Sequence, residues 1–225
     1  MDYKLILSWT ATVSQIGLLL TGTQVCFKII RSGNTGHIAL FPFVACCLSG
    51  ILWTKYGLLI DDFPITFVSG AGMVSQSIYI FIYYINTREK RSAAIKILWS
   101  FLGVTSVLSY IKYYVEDLET AIRHLGLICS GFSVAVYGSP LVSLAQVVKQ
   151  KSTEYLTFSL CLANFVVSLQ WFMYGHLVQD AYIKLPNALG VLLSVIQLSL
   201  FILYPSAPQR TVIYTPGSKP SKLEI

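Results

Sequence analysis

Apolar residues run through this chain in seven long blocks, near residues 5–27, 40–60, 64–85, 95–115, 124–148, 156–178 and 182–204, separated by short polar connections. Each block is long enough to cross a bilayer core of about 30 Å as a helix. The first block has no small-residue cleavage site before Lys28, so it is expected to stay as a span.

A second regularity lies over the blocks. Residues 34–79 hold Trp53, Tyr56-Gly57, Asp62, Ile65, Ser69 and Gly72. Residues 152–197 hold Trp171, Tyr174-Gly175, Asp180, Ile183, Asn187 and Gly190, every one 118 positions later. Apolar segments resemble one another through their small alphabet, but an ungapped Trp-x-x-Tyr-Gly with Asp at a fixed distance indicates an internal duplication. Each copy has three spans, an odd number, so two copies joined directly would lie in opposite senses. The fourth block carries the chain back across and makes the copies parallel, an all-α membrane fold of 3 + 1 + 3 helices. The boundaries follow: a first three-helix repeat over 1–87, a linker with the fourth helix over 88–120, a second repeat over 121–204, and a polar tail over 205–225 with four prolines, expected to be mobile.

Composition agrees with the membrane assignment. The chain is 55% hydrophobic and 12% charged, where soluble domains carry about 25% charged residues. A net charge of +6 could suggest nucleic acid, but the basic residues sit between apolar runs, not on one face. Lys28, Arg31, Arg88, Lys90, Arg91, Lys96, Lys149, Lys151, Arg210, Lys219 and Lys222 fall after the odd-numbered spans, and Asp2, Asp61, Asp62, Glu116, Asp117, Glu119 and Asp180 on the other side. The positive-inside rule puts the N-terminus outside and the tail in the cytoplasm. Cys26, Cys46, Cys47, Cys129 and Cys161 all lie in apolar runs, with no disulfide framework and no metal-ligand spacing. His37, His124 and His176 lie near loops without a nucleophile beside them, so nothing supports an enzyme, and no cofactor is implied.

With Tyr137-Gly-Ser139-Pro140-Leu141, Val147-Val-Lys149-Gln-Lys151-Ser152-Thr153-Glu154, Trp171-Phe-Met-Tyr174-Gly175 and Pro186-Asn187-Ala-Leu-Gly190 in this order, the chain resembles the SWEET sugar transporters, the MtN3/saliva family. The resemblance runs from about Gly17 to Pro205. It implies facilitative transport of mono- or disaccharides in a plasma or Golgi membrane, with a small sugar and the lipid bilayer as partners, and leaves self-association open.

A sugar site needs amide or hydroxyl groups beside aromatic faces. Trp171 and Asn187 lie roughly 10–14 Å below Asp180, and Trp53 and Ser69 are placed likewise around Asp62. From the residues alone, both Trp fit core packing or a stacking wall, and Asn187 fits a helix–helix bond or a ligand contact. The resemblance favours substrate binding by Trp53, Ser69, Trp171 and Asn187. Ser69 stands where many members have Asn, which implies an asymmetric site. It also implies hinges at Pro42 and Pro140, with Gly22 and Thr157 where two further prolines usually sit. Tyr56 with Asp180, and Tyr174 with Asp62, are expected to close an outer gate, solvated loop acids being the other reading of Asp62. The centres of the spans hold no Asp, Glu, Arg or Lys, so ion coupling has no group to act through and uniport is expected. A seven-helix receptor is the competing class, but a receptor gains nothing from a fixed duplication. A related PQ-loop transporter is another, but Pro140 is followed by Leu141, not Gln.

Overall fold

The computed structural model describes residues 3–154 and 156–204, and the expected polar tail, with Asp2, lies outside them. Among the described residues the secondary structure is helical: α1 (Tyr3–Ser32), α2 (Phe41–Leu59), α3 (Phe63–Asn86), α4 (Lys90–Tyr113), α5 (Leu118–Val136), α6 (Gly138–Gln150), α7 (Phe158–Leu177) and α8 (Ala181–Leu203). Seven segments are long and apolar enough to cross a membrane, α5 and α6 together making the fifth. A bilayer has no water to satisfy free backbone groups, so segments this apolar close their hydrogen bonds internally as helices. The lipid-facing positions carry large exposed apolar side chains such as Phe27, Leu98 and Ile202.

Within each repeat the third helix lies between the other two: α3 packs against α1 and α2, and α8 against α5 and α7. The repeats meet through α1 with α7 and α2 with α5, contacts that exchange under the same 118-residue shift. Linker α4 packs against α2, α3 and α5. Asp117 caps α5 by accepting the Thr120 N–H at 2.7 Å; that backbone hydrogen bond holds its carboxyl below the usual carboxylate range.

The duplication extends to backbone detail. α1 ends at Gly33 (φ 64°) and α6 at Lys151 (φ 50°), and the α2–α3 and α7–α8 turns pass through Asp61 (φ 53°) and Gln179 (φ 56°). Each of these pairs is 118 residues apart. In the two turns the amide of Asp62 donates to Gly57 O and that of Asp180 to Gly175 O, both at 2.9 Å. This is the six-to-one bond that closes a helix through a left-handed residue. The same aspartates then start the next helix: Asp62 Oδ1 accepts the Ile65 N–H at 3.1 Å, and Asp180 Oδ1 accepts those of Tyr182 at 2.8 Å and Ile183 at 3.2 Å. Folding back this tightly requires glycine. A Cβ on Gly57 would stand 2.9 Å from Thr66 N, and one on Gly175 2.8 Å from Lys184 N.

The fifth span departs from a straight helix over 124–148. Pro140 has no N–H for the Val136 carbonyl, the Tyr137 N–H donates to Val134 O at 3.1 Å, and the helix breaks between Val136 and Gly138. Pro186 removes the same bond inside α8, where the freed Tyr182 carbonyl accepts the Ser130 hydroxyl of α5 at 2.6 Å. At the repeat-related positions stand Val68, whose backbone keeps its N–H, and Thr12, whose buried Oγ1 has no hydrogen-bond partner.

Two stability outcomes follow. Gly57→Ala and Gly175→Ala force backbone apart and should each cost about 1–3 kcal/mol, seen as a lowered melting temperature in detergent. Gly103→Ala meets open space and should not lower it; equal behaviour of all three would remove the close-approach argument. Ser130→Ala strands the Tyr182 carbonyl and should destabilise by about 1–3 kcal/mol, whereas Thr12→Val removes a hydroxyl that bonds nothing and should be neutral or stabilising in the same melts.

Candidate transport site

The turn aspartates hold a second connection, from one repeat to the other. Tyr56, on the last turns of α2, donates its hydroxyl to Asp180 Oδ2 at 2.6 Å, and Tyr174 of α7 donates to Asp62 Oδ2 at 2.5 Å. Both tyrosines are almost fully buried, at 1% exposure. Each carboxylate therefore uses one oxygen to cap its own helix and the other to hold the opposite repeat. The acceptors are ionisable carboxylates, so the ties are of the stronger, charge-assisted kind. They lie at the acidic end of the bundle.

One helical turn deeper, Trp53 meets Tyr56 edge-on at 5.5 Å between ring centroids, and Trp171 meets Tyr174 in the same way at 5.6 Å. Below the tyrosines these tryptophans line a cavity of about 330 Å³, which Ser69 and Asn187 line as well. The four residues named from the sequence thus come together, two from each repeat. The described lining carries no charged side chain.

The residues lining the cavity are not symmetric. Asn187 donates Nδ2 to the Ile183 carbonyl at 2.7 Å, which leaves its Oδ1 and second N–H for a guest. Trp53 Nε1 donates to Ser133 Oγ at 3.1 Å, joining α2 to α5. Tyr137 donates to the Pro186 carbonyl at 3.1 Å, and a Cβ on Gly190 would lie 2.6 Å from its hydroxyl oxygen. The repeat mate of Tyr137 is Leu19, and that of Ser133 is Gln15, both also in the wall. Gln15, Cys46, Ser49, Ser133 and Tyr137 were passed over as site residues in the sequence. One signal could have found two of them: Gln15 and Ser133 are polar residues inside apolar spans at the repeat distance.

The remaining positions scatter. Pro140 lies at the α5–α6 break, next to the Tyr137 that lines the cavity. Pro42 is in the first turn of α2, where proline costs no helical hydrogen bond. Gly22 lies within unbroken α1, with the Tyr79 ring where a Cβ would be, at 2.6 Å. Thr157 precedes α7 as its N-cap and makes no side-chain capping bond.

Comparison with known proteins agrees with this geometry. The family model described as "sugar efflux transporter for intercellular exchange" matches the chain twice, over residues 5–91 and 123–209, two segments that start and end 118 residues apart. Sugar transporter SWEET1 of Drosophila pseudoobscura pseudoobscura is 35% identical over 201 residues, 89% of this chain and 89% of that one. Its namesake from Mus musculus is 33% identical over 204 residues, 91% of this chain and 92% of that one. A solved structure of a eukaryotic SWEET transporter superposes with a TM-score of 0.82 at 23% identity, over 88% of this chain and 95% of that one, and shares the fold. A membrane bundle of two parallel three-helix repeats, matched twice by one family model and by relatives along nearly its whole length, belongs to the MtN3/saliva (SWEET) family, one of transporters and not of enzymes.

Proposed function

We propose that this protein moves a small neutral sugar across its membrane by facilitative alternating access, without coupling to an ion. The observation that carries the reading is the uncharged cavity between Trp53 and Trp171, closed toward the acidic end by the two Tyr–Asp ties. At about 330 Å³ it is at the small end of the range for small-molecule pockets, suited to a monosaccharide ring. The indole faces offer stacking surface for sugar C–H groups; Asn187 and Ser69 offer hydrogen bonds from opposite sides. Asn187 brings an amide and Ser69 one short hydroxyl, so the second repeat holds the sugar more firmly.

The acidic end faces outward, with the N-terminus outside and the C-terminus in the cytoplasm, as the positive charge of the other end supports. A plasma-membrane location is part of the same reading. The moving bodies are the repeats, residues 1–87 and 121–204, joined by 88–120 and followed by the tail 205–225. In this reading Tyr56, Asp62, Tyr174 and Asp180 form the outer gate, and their two hydrogen bonds correspond to its closed state. Pro140 is the strongest hinge candidate, since the fifth span already bends there; Pro42, Gly22 and Thr157 complete the proposed hinge set.

The experiment is radiotracer glucose uptake by purified protein in liposomes. Uptake should run down the sugar gradient and not change when a pH or sodium gradient is imposed; accumulation driven by either gradient would overturn uniport. Asn187→Ala removes up to two hydrogen bonds of roughly 0.5–1.5 kcal/mol each and should weaken apparent affinity about 5- to 100-fold. Ser69→Ala should cost a few-fold, and Ser69→Asn should change affinity or selectivity without reducing expression. Unaltered transport in both Asn187→Ala and Ser69→Asn would put the sugar path elsewhere.

The gate has its own test. Asp180→Asn keeps an oxygen to cap α8 but replaces a charge-assisted tie by a neutral one, weakening it by about 1 kcal/mol. The outward-open population should rise about fivefold, read as faster reaction of Cys46, which is exposed and lines the cavity, with an impermeant thiol reagent added outside. Cys46→Ser in the same background gives the blank. No acceleration over the parent would mean that the ties do not gate the outer path.

A further inference from the structure

A second and larger cavity, about 1000 Å³, lies away from the transport path at the basic end of the bundle, between the α1–α2 connection, the start of α2, the end of α3 and the first half of α4. Its walls are of two kinds. Arg88, Lys96 and Glu89 line it together with Thr35 and Thr87, whose residues are only 8% and 7% exposed. Phe41, Val44, Ile95 and Trp99 form an apolar wall, in which Phe41 and Trp99 are 70% and 67% exposed toward the surroundings of the bundle. On α4 the residues Ser92, Lys96 and Trp99 follow the helical i, i+4, i+7 spacing and so present one face. The groove thus has buried threonines at its floor, exposed Arg88, Lys96 and Glu89 along its polar side and an apolar outer flank, and it lies at the ends of membrane-crossing helices.

We propose that this groove is a binding site for an anionic glycerophospholipid of the cytoplasmic leaflet, with its phosphate between Arg88 and Lys96 and its acyl chains along Phe41, Ile95 and Trp99. Basic pockets between membrane helices on the cytoplasmic side suit such headgroups, and arginine in particular suits phosphate. Glu89 lines the same groove and repels phosphate, which selects a headgroup that also brings hydrogen-bond donors. An inositol ring satisfies Glu89, Ser92 and the threonines through its hydroxyls while its phosphodiester faces the two bases. A free sugar would use the hydroxyl-binding groups but leave both cations unanswered and the exposed apolar flank empty. The chain's own residues 205–225 are no better suited, because Arg210, Lys219 and Lys222 outnumber Glu224 and would be repelled. The site goes beyond sugar transport and depends on the proposed orientation only for the leaflet.

The test is therefore done in neutral detergent, where sidedness plays no part and the transport reading is not at stake. A fluorescent phosphatidylinositol titrated against the purified full chain should bind saturably. Unlabelled phosphatidylinositol should displace it, while phosphatidylcholine and soluble inositol phosphate should not at the same concentration. Displacement by phosphatidylcholine would reduce the groove to a general acyl-chain contact, and displacement by inositol phosphate would make it a site for free phosphate; either overturns the proposal. Arg88→Gln with Lys96→Gln should weaken binding about 30-fold, and Arg88→Lys far less. The matching removal of two charges outside the groove, Lys90→Gln with Arg91→Gln, should cost less than threefold. Equal losses in the two double variants would mean diffuse surface charge and no site. If the Arg88 and Lys96 double variant does not fold, Lys96→Gln alone should still weaken binding about fivefold, and an unchanged affinity there would equally overturn the assignment.

Discussion

Each half of this protein is set by one turn in which a single aspartate has three roles. Asp62 and Asp180 close the helix before them through a backbone amide, start the helix after them with one carboxylate oxygen, and accept a tyrosine of the other repeat with the second oxygen. The first two bonds fix the carboxylate relative to its own repeat. The third then senses only the position of the opposite repeat. The recurring Trp-x-x-Tyr-Gly…Asp has a physical reading in these terms: glycine lets the next helix fold back, aspartate fixes the corner, tyrosine crosses over, and tryptophan packs edge-on beneath the tyrosine. None of these can change alone without uncoupling corner, crossing and cavity wall.

The duplication is faithful in backbone and unfaithful in side chain, and the differences concentrate where the cavity is. Corner dihedrals and closing bonds repeat to within a few degrees and about a tenth of an ångström. In the cavity wall Leu19, Gln15 and Ser69 of the first repeat stand at the positions equivalent to Tyr137, Ser133 and Asn187 of the second. Pro140 accompanies a break in the fifth span, while Pro186 sits inside the continuous α8, where Ser130 satisfies the carbonyl it frees. The first repeat has Val68 in place of Pro186, so the donor at Thr12 has no carbonyl waiting for it. The second repeat thus carries the broken span, and α1 of the first runs unbroken from Tyr3 to Ser32.

Much of this was legible in the sequence, and the parts that were not share a cause. Spans emerge from apolar blocks because a bilayer leaves the backbone no other choice. The repeat emerges from rare residue types at a fixed distance, and with it the meeting of Trp53, Trp171, Ser69 and Asn187 about one cavity. The Tyr–Asp crossings followed from the repeat together with the family resemblance, while the residues alone left Asp62 equally readable as a solvated loop acid; both bonds are made in the structure. Gln15 and Ser133 were signalled only by being polar residues 118 positions apart inside apolar spans, and Ser49 not at all, because a serine inside a span can satisfy itself on its own backbone. The broken fifth span was signalled by Pro140, yet a proline inside a membrane span is also tolerated in a continuous helix. The basic groove depends on where linker α4 leans, and nothing in the repeat specifies that.

Energetics connect the corner to the transport cycle. A hydrogen bond to a charged group contributes about 1.5–3 kcal/mol, so the two ties together hold the acidic end shut by about 3–6 kcal/mol. Reversing a two-state equilibrium from 99:1 to 1:99 takes about 5.5 kcal/mol, so the ties are large enough to define a closed state and small enough to open thermally. A sugar making a few hydrogen bonds and one stacking contact supplies binding energy of the same order. The proposed uncoupled cycle would need that match, because the empty protein would have to reorient for the next cycle with no ion gradient to drive it. A stronger closure, such as a buried ion pair in place of each Tyr–Asp tie, would trap the empty carrier. Tyrosine on aspartate gives a bond that is directional and nearly buried, and one that thermal motion can break.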